Sequence, residues 1–178
     1  MTLISAERPL VPDQGFVLRH EQPEDLAAIE ALNDRAFGPG RLAKVSYAVR
    51  EAARARPDLS FCAFEGDELV GSVHQSEISL GEREVIFLGP LSVEASRRHR
   101  GLGGLLIERA AAAAAEAGFP GVLLVGDLGL FGPHGFVRVP AGQVLMPRPV
   151  DPLRVLWRTI DGGGLEAVAG RIGGLRGR

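Results

Sequence analysis

Arg97-Arg98-His99-Arg100-Gly101-Leu102-Gly103-Gly104 separates the apolar run Phe87-Leu88-Gly89-Pro90-Leu91-Ser92-Val93 from an alanine-rich stretch that ends at Ala117. The position of this segment matters more than its letters. Backbone N–H groups at a helix start lack intrahelical partners and converge on one spot, where the helix dipole favours an anion. Glycine lets a phosphate reach the main chain without an intervening side chain, and Arg97, Arg98 and Arg100 supply counter-charge. Each glycine costs a helix about 1 kcal/mol relative to alanine, so Gly101, Gly103 and Gly104 together argue for a need that only bare backbone meets. Tight packing or a turn is also such a need, and the spacing alone leaves both readings open. Two other phosphate sites do not fit. The dinucleotide pattern requires Gly-x-Gly-x-x-Gly after the first strand of a repeated parallel unit, and a P-loop requires Lys-Ser or Lys-Thr after its glycines.

Outward from the loop, residues 85–93 predict a strand and residues 100–117 a helix with Leu102, Leu105, Leu106, Ala110 and Ala113 facing the core. Gly118 is its expected C-cap, and residues 122–125 predict a buried strand behind it. By the crossover rule these two strands are parallel and their connection is right-handed. Upstream, residues 60–64, 69–78 and 85–93 read as an antiparallel meander with turns at Glu65-Gly66-Asp67 and near Gly81. Pro90 cannot donate to a ladder, so it marks a bulge or an end of pairing. Phe16-Val17-Leu18 predicts a first strand and Gln22-Pro23-Glu24-Asp25 a helix start, with Leu26, Ile29 and Leu32 on one face. After Gly38-Pro39-Gly40 a second helix carries Leu42, Val45, Val49 and Ala52 and stops at Arg56-Pro57. Downstream, residues 136–139 and 143–146 predict a closing hairpin, and Pro147, Pro149 and Pro152 interrupt anything longer. The expected organisation is an N-terminal extension over 1–15, one domain over 16–147 and a C-terminal extension over 148–178, a short helix or partly disordered.

Arg98-x-x-Gly101-x-Gly103 resembles the Arg/Gln-x-x-Gly-x-Gly/Ala pyrophosphate loop of the GNAT N-acetyltransferase superfamily. Residues 87–93 are similar to the strand that precedes that loop, particularly in the YhbS-like branch, and two helices after the first strand match the family's order. The resemblance spans residues 16–147. It implies an α/β (α+β) GNAT fold: a central mixed, mostly antiparallel twisted sheet with helices on both faces and a splayed pair of parallel strands. It further implies acetyl-CoA as co-substrate, no metal, and direct transfer of an acetyl group to a primary amine in a ternary complex. By the same resemblance the amides of Arg98, His99, Arg100, Gly101, Leu102 and Gly103, with Gly104 beside them, hold the pyrophosphate of coenzyme A. The pantetheine arm is expected along Leu91, Ser92 and Val93, where an N–H also serves the oxyanion of acyl transfer.

Amine acylation needs positioning and a base for the ammonium proton. Glu77 and His74, on the strand before the Pro90 strand, are the first candidates, and Asp127, at the end of the diverging strand, is the third. Glu84 and Gln75 lie on the same strands; His99 and His134 fall in loops, and His20 carries no signal. Many family members place a tyrosine, which protonates the leaving thiolate, in a segment similar to Tyr-Tyr-x-x-x-Gly-Phe. Here that segment is Leu130-Phe131-Gly132-Pro133-His134-Gly135-Phe136, and the only tyrosine is Tyr47, in the second helix. A thiol with a pKa of about 8.5 leaves tolerably without such an acid. A module that binds acyl-CoA without turnover is therefore the alternative reading, and a nucleotide-binding module unrelated to coenzyme A is a third. Cys62 sits among Phe61, Ala63 and Phe64, which reads as an inert buried thiol rather than an acyl carrier.

Bulk properties agree with a small-molecule or peptide amine as partner. A chain of 178 residues suits one core, and its net charge of −2 gives no reason to expect nucleic acid or an anionic membrane. One cysteine excludes an internal disulfide and suits a reducing, cytoplasmic setting; no metal-ligand spacing, signal peptide or membrane anchor is read. Family members are often dimers, so a homodimer is among the expectations.

Overall fold

The computed structural model describes residues 10–13 and 15–175. Its elements in chain order are β1 (Leu10–Asp13), β2 (Phe16–His20), α1 (Leu26–Phe37), α2 (Val45–Ala52), β3 (Arg54–Ala55), β4 (Phe61–Glu65), β5 (Glu68–Leu80) and β6 (Arg83–Val93). There follow α3 (Leu102–Glu116), β7 (Gly121–Val125), α4 (Leu128–Phe131), β8 (Val137–Arg138), β9 (Val144–Leu145), β10 (Val155–Thr159) and β11 (Gly170–Gly173). The main sheet runs β1-β2-β4-β5-β6-β7-β10-β8, with β3 and β11 on β5 and β9 on β11. Pairing is antiparallel except for β6 with β7 and β9 with β11, so the sheet is mixed as the resemblance implies.

Successive residues of a strand face opposite sides, and the core divides accordingly. Ile86 and Val122 pack with Leu102, Leu106, Ile107 and Ala110 of α3, whereas Phe87 and Leu123 pack with Val49 of α2 on the other face. Ile29 and Leu32 of α1 cover Cys62 on a third cluster. α1 begins after a 3₁₀ turn at Pro23–Asp25, where Asp25 accepts from the Gln22 amide and pairs with Arg19. Gly118, at φ 81°, ends α3 as expected.

Three expectations change. The second helix is shorter than its stripe, because a 3₁₀ turn at Pro39–Ala43 takes up its start; the Leu42 side chain lies outside the described ones. Residues 136–139 and 143–146 do not form a hairpin: β8 pairs with β10, and β9 with β11. Over its described residues the C-terminal segment carries two strands besides short 3₁₀ turns at Pro152–Arg154 and Leu165–Ala167. Val155, Leu156 and Trp157 are buried in β10, which pairs along the whole of β7. Three consecutive buried apolar residues at the start of a five-residue strand offer no period to read, and the prolines before it mask its start.

Candidate active site

β6 and β7 are partners only at Ile86↔Val122 and Phe87↔Leu123, although β6 continues to Val93 and β7 to Val125. Beyond that point they separate. Along β5 the register of β6 shifts by one between Gln75↔Leu88 and Val73↔Leu91, so Gly89 and Pro90 together stand opposite His74. This is the bulge expected at Pro90. From Leu88 onward the β7-facing edge of β6 therefore has no strand to bond.

The glycine-rich loop closes the same end of β6. A 3₁₀ turn at Ala95–Arg97 leads through extended Arg98 to His99, at φ 65°, and Gly101, at φ 77°, before α3 starts at Leu102. A left-handed residue at the N-cap suits glycine, and a Cβ on Gly101 would meet nothing within 4 Å. The N–H groups of residues 101–104 have no acceptor among the described residues, and no side chain caps the helix. Arg97 and Arg100 are tied to Glu65, at 2.5 and 2.9 Å, so their charge is shared with β4. Hydrogen bonds from Arg100 and then Arg97 hold the Glu65 carboxyl below its ordinary range. The Arg98 amide donates to the Ala95 carbonyl at 3.4 Å, whereas its exposed side chain makes no ion pair or hydrogen bond among the described residues, leaving one guanidinium for an incoming anion. A Cβ on Gly103 would be in ordinary contact with Val93, whereas Gly104 has a packing role: the His134 ring lies against it and shares a 2.8 Å hydrogen bond with Glu108.

On the α1 and α2 side, a cavity of about 390 Å³ opens at the separation of β6 and β7. Leu88, Gly89, Pro90 and Leu91 form one wall, Val125, Gly126 and Asp127 another, and Asn33, Tyr47 and Arg50 the helical one. Asn33 is fully buried, accepts from the Ser92 hydroxyl at 2.5 Å, and keeps an Nδ2 donor without a partner. Arg41 and Arg50 stand over the Tyr47 ring at 5.5 and 5.3 Å.

Of the three residues singled out for proton transfer, Asp127 lines this cavity. Its Oδ1 caps α4 through the Gly129 amide, which leaves the second carboxylate oxygen uncommitted. Glu77 lies elsewhere. Ile78 belongs to the α2-side cluster, so Glu77 points to the α3 side, where Arg54 and Arg56 reach it at 3.4 and 3.1 Å. His74 is also outside the cavity and bonds Glu21 through Nδ1 at 2.9 Å, both side chains nearly buried. His99 is exposed in the loop and His20 stacks on Phe61. Leu91 lines the cavity, Ser92 turns toward Asn33, and Val93 packs on the α3-side core. Burial, with Asp25 and Glu21 nearby, pushes the Cys62 thiol up to about 12, so no thiolate forms there. The sequence offered Arg41 to Arg56 as a wall of the acceptor site but set Tyr47 aside as poorly placed, and singled out neither Asn33 nor Arg50. Asn33 did leave a signal, a polar residue four positions after Ile29 on the apolar face of α1.

Residues 26–129 match the family model described as Acetyltransferase (GNAT) family. The chain is similar in structure to the GNAT family N-acetyltransferase YhbS from Escherichia coli, crystallised in complex with CoA. That likeness has TM-score 0.76 at 23% identity and covers 93% of this chain and 92% of that one. It is similar also to a GNAT family acetyltransferase from Brucella melitensis in complex with acetyl-CoA, with TM-score 0.65 at 27% identity over 89% and 94% of the two chains. The ribosomal-protein-S18-alanine N-acetyltransferase from Escherichia coli shares the fold at TM-score 0.60 and 16% identity, over 84% and 96% of the chains. No curated protein matches. No described helix is long and apolar enough to cross a membrane, and no described cluster of His, Cys, Asp or Glu is arranged to hold a metal ion.

Proposed function

The chain belongs to the GNAT acetyltransferase family, and we propose that it transfers an acetyl group from acetyl-CoA to a primary amine held in the cavity between β6 and β7. The observation that carries this reading is the run of unpartnered N–H groups over residues 101–104, next to the edge of β6 that β7 has left. Unpartnered main-chain donors at a helix start, open space at Gly101 and the exposed Arg98 guanidinium together fit a pyrophosphate. Arg98, His99, Arg100, Gly101, Leu102 and Gly103 would hold it, and the edge of Leu91, Ser92 and Val93 would pair with the pantetheine amides. When bound, the co-substrate supplies an acetyl thioester.

The chain's own residues supply the rest. An N–H on the unpaired edge of β6 stabilises negative charge that builds on the acyl oxygen. Asp127 takes the ammonium proton through its uncommitted oxygen, directly or through one water. Phe131 occupies the place of the family's tyrosine, and Tyr47, which reaches the same cavity from α2, is the phenol we assign to protonate the leaving sulfur. Neither Glu77, neutralised by two arginines, nor His74, bonded to Glu21, takes part in this scheme.

We place the enzyme in the YhbS-like branch and in the cytoplasm, acting on a small-molecule or peptide amine as a monomer or homodimer. Calorimetric titration of acetyl-CoA with thiol release over a panel of amines tests the proposal. Binding with release supports transfer. Binding without release from any amine supports the second reading, an acyl-CoA-binding module, which the loss of the tyrosine at Phe131 favours.

A further inference from the structure

Resting on the transferase reading above, we infer that the acceptor amine also carries a carboxylate, and that Arg50, assisted by Lys44 and Arg154, is what selects it. All three line the cavity. Charge counting alone does not decide the matter, since Glu30, Asp34, Asp127 and Asp151 offset Arg41, Lys44, Arg50 and Arg154 in number. What decides it is which hydrogen-bonding capacity remains.

The acids are largely committed. Both Glu30 oxygens accept from arginines, Oε2 from Arg41 at 2.6 Å and Oε1 from Arg50 at 3.1 Å, and Asp34 accepts from Arg41 at 2.7 Å. Asp127 and Asp151 each cap a following turn through Oδ1. The cations are not so committed. Arg50 keeps Nη1 buried and without a partner, Lys44 only faces the Phe37 ring at 4.9 Å, and Arg154 has no acidic partner among the described residues. Asn33 adds a second buried, unpartnered donor, Nδ2. A cavity with surplus cationic donors at its helical wall, and one carboxylate oxygen free at the end of β7, is complementary to a zwitterion. Its ammonium group faces Asp127, and its carboxylate accepts from Arg50. Burying a guanidinium N–H without a partner is costly, so an occupant that satisfies it is favoured over one that does not.

The test is binding of acetylated products, which needs no turnover. N-acetyl derivatives of α- and ω-amino acids, each with its methyl ester, are titrated into the full chain, with acetyl-CoA titrated in parallel. The expected result is at least one acid that binds about tenfold or more tighter than its ester. That preference is lost in Arg50→Gln and partly kept in Arg50→Lys. Lys44→Gln with Arg154→Gln, both exposed positions, reduces it and serves where Arg50→Gln does not melt cooperatively. The inference is overturned if no acid outcompetes its ester, or if the preference survives these variants. Loss of acetyl-CoA binding alone sinks the transferase reading and leaves the anion site standing.

Discussion

The imidazole of His134 packs on the main chain of Gly104, so that a Cβ at that position would stand 2.9 Å from Cε1 and 3.1 Å from Nε2. The third glycine of the loop thus makes room for a side chain, while Gly101 leaves open space at the start of α3. Overpacking against His134 is expected to cost Gly104→Ala about 1–3 kcal/mol, set against the roughly 1 kcal/mol that alanine gains over glycine in a helix. In a His134→Ala background the same substitution should cost far less, a coupling that a double-mutant cycle by denaturant unfolding reads directly. Equal costs in both backgrounds would mean that His134 is not what the glycine accommodates.

Tyr47→Phe removes one hydroxyl from the cavity and leaves the ring under Arg41 and Arg50. Loss of a positioned proton donor lowers turnover by about a hundredfold in typical cases. We expect kcat to fall by that order while the affinity for acetyl-CoA stays as in the wild type. An unchanged kcat would remove Tyr47 from the scheme.

Stability should fall on the acid side through Glu30. Burial pushes this carboxyl up, but hydrogen bonds from Arg41 and then Arg50 outweigh it and hold the folded-state pKa below its ordinary 4.5. The folded protein therefore binds fewer protons there than the unfolded chain. The stabilisation is fully present above about pH 4.5 and disappears as the pH drops through the folded value. Thermal melts across this range should show a shallower acid decline for Glu30→Gln than for the wild type; parallel declines would place the acid sensitivity in other carboxylates.

Trp157 tests whether the C-terminal strand belongs to the core. Its ring is almost wholly buried and its indole N–H donates to Thr159 at 2.8 Å. Trp157→Ala should cost about 3–5 kcal/mol in urea unfolding. A cost near zero would return the segment to the status of an appendage.

These residues also mark what the sequence made legible. The unit from β6 through α3 to β7 could be read because a glycine cluster, an apolar run and an alanine-rich helix stand in unbroken order, and Pro90 announced its bulge. β10 could not, because Val155, Leu156 and Trp157 are few, uniformly buried and preceded by prolines. Proton-transfer residues were harder still. Val73, Gln75 and Glu77 share one parity on β5, and nothing local says that α3 covers that face while α1 and α2 leave the cavity on the other. The partner of His74, Glu21, is 53 positions away in the chain. Tyr47 reaches the cavity only because the helices after β2 fold over the separation of β6 and β7, a long-range relation with no trace in residue spacing.

The central claim is that the start of α3 holds the phosphates of coenzyme A, and calorimetric titration of acetyl-CoA into the wild type and Gly101→Glu tests it most directly. The variant places a carboxylate where the helix dipole and free N–H groups favour an anion, on a left-handed residue with open space around it. Saturable binding by the wild type, weakened by about tenfold or more in the variant, is the predicted result. A wild type that binds neither acetyl-CoA nor CoA, or a variant that binds as tightly as the wild type, would contradict it.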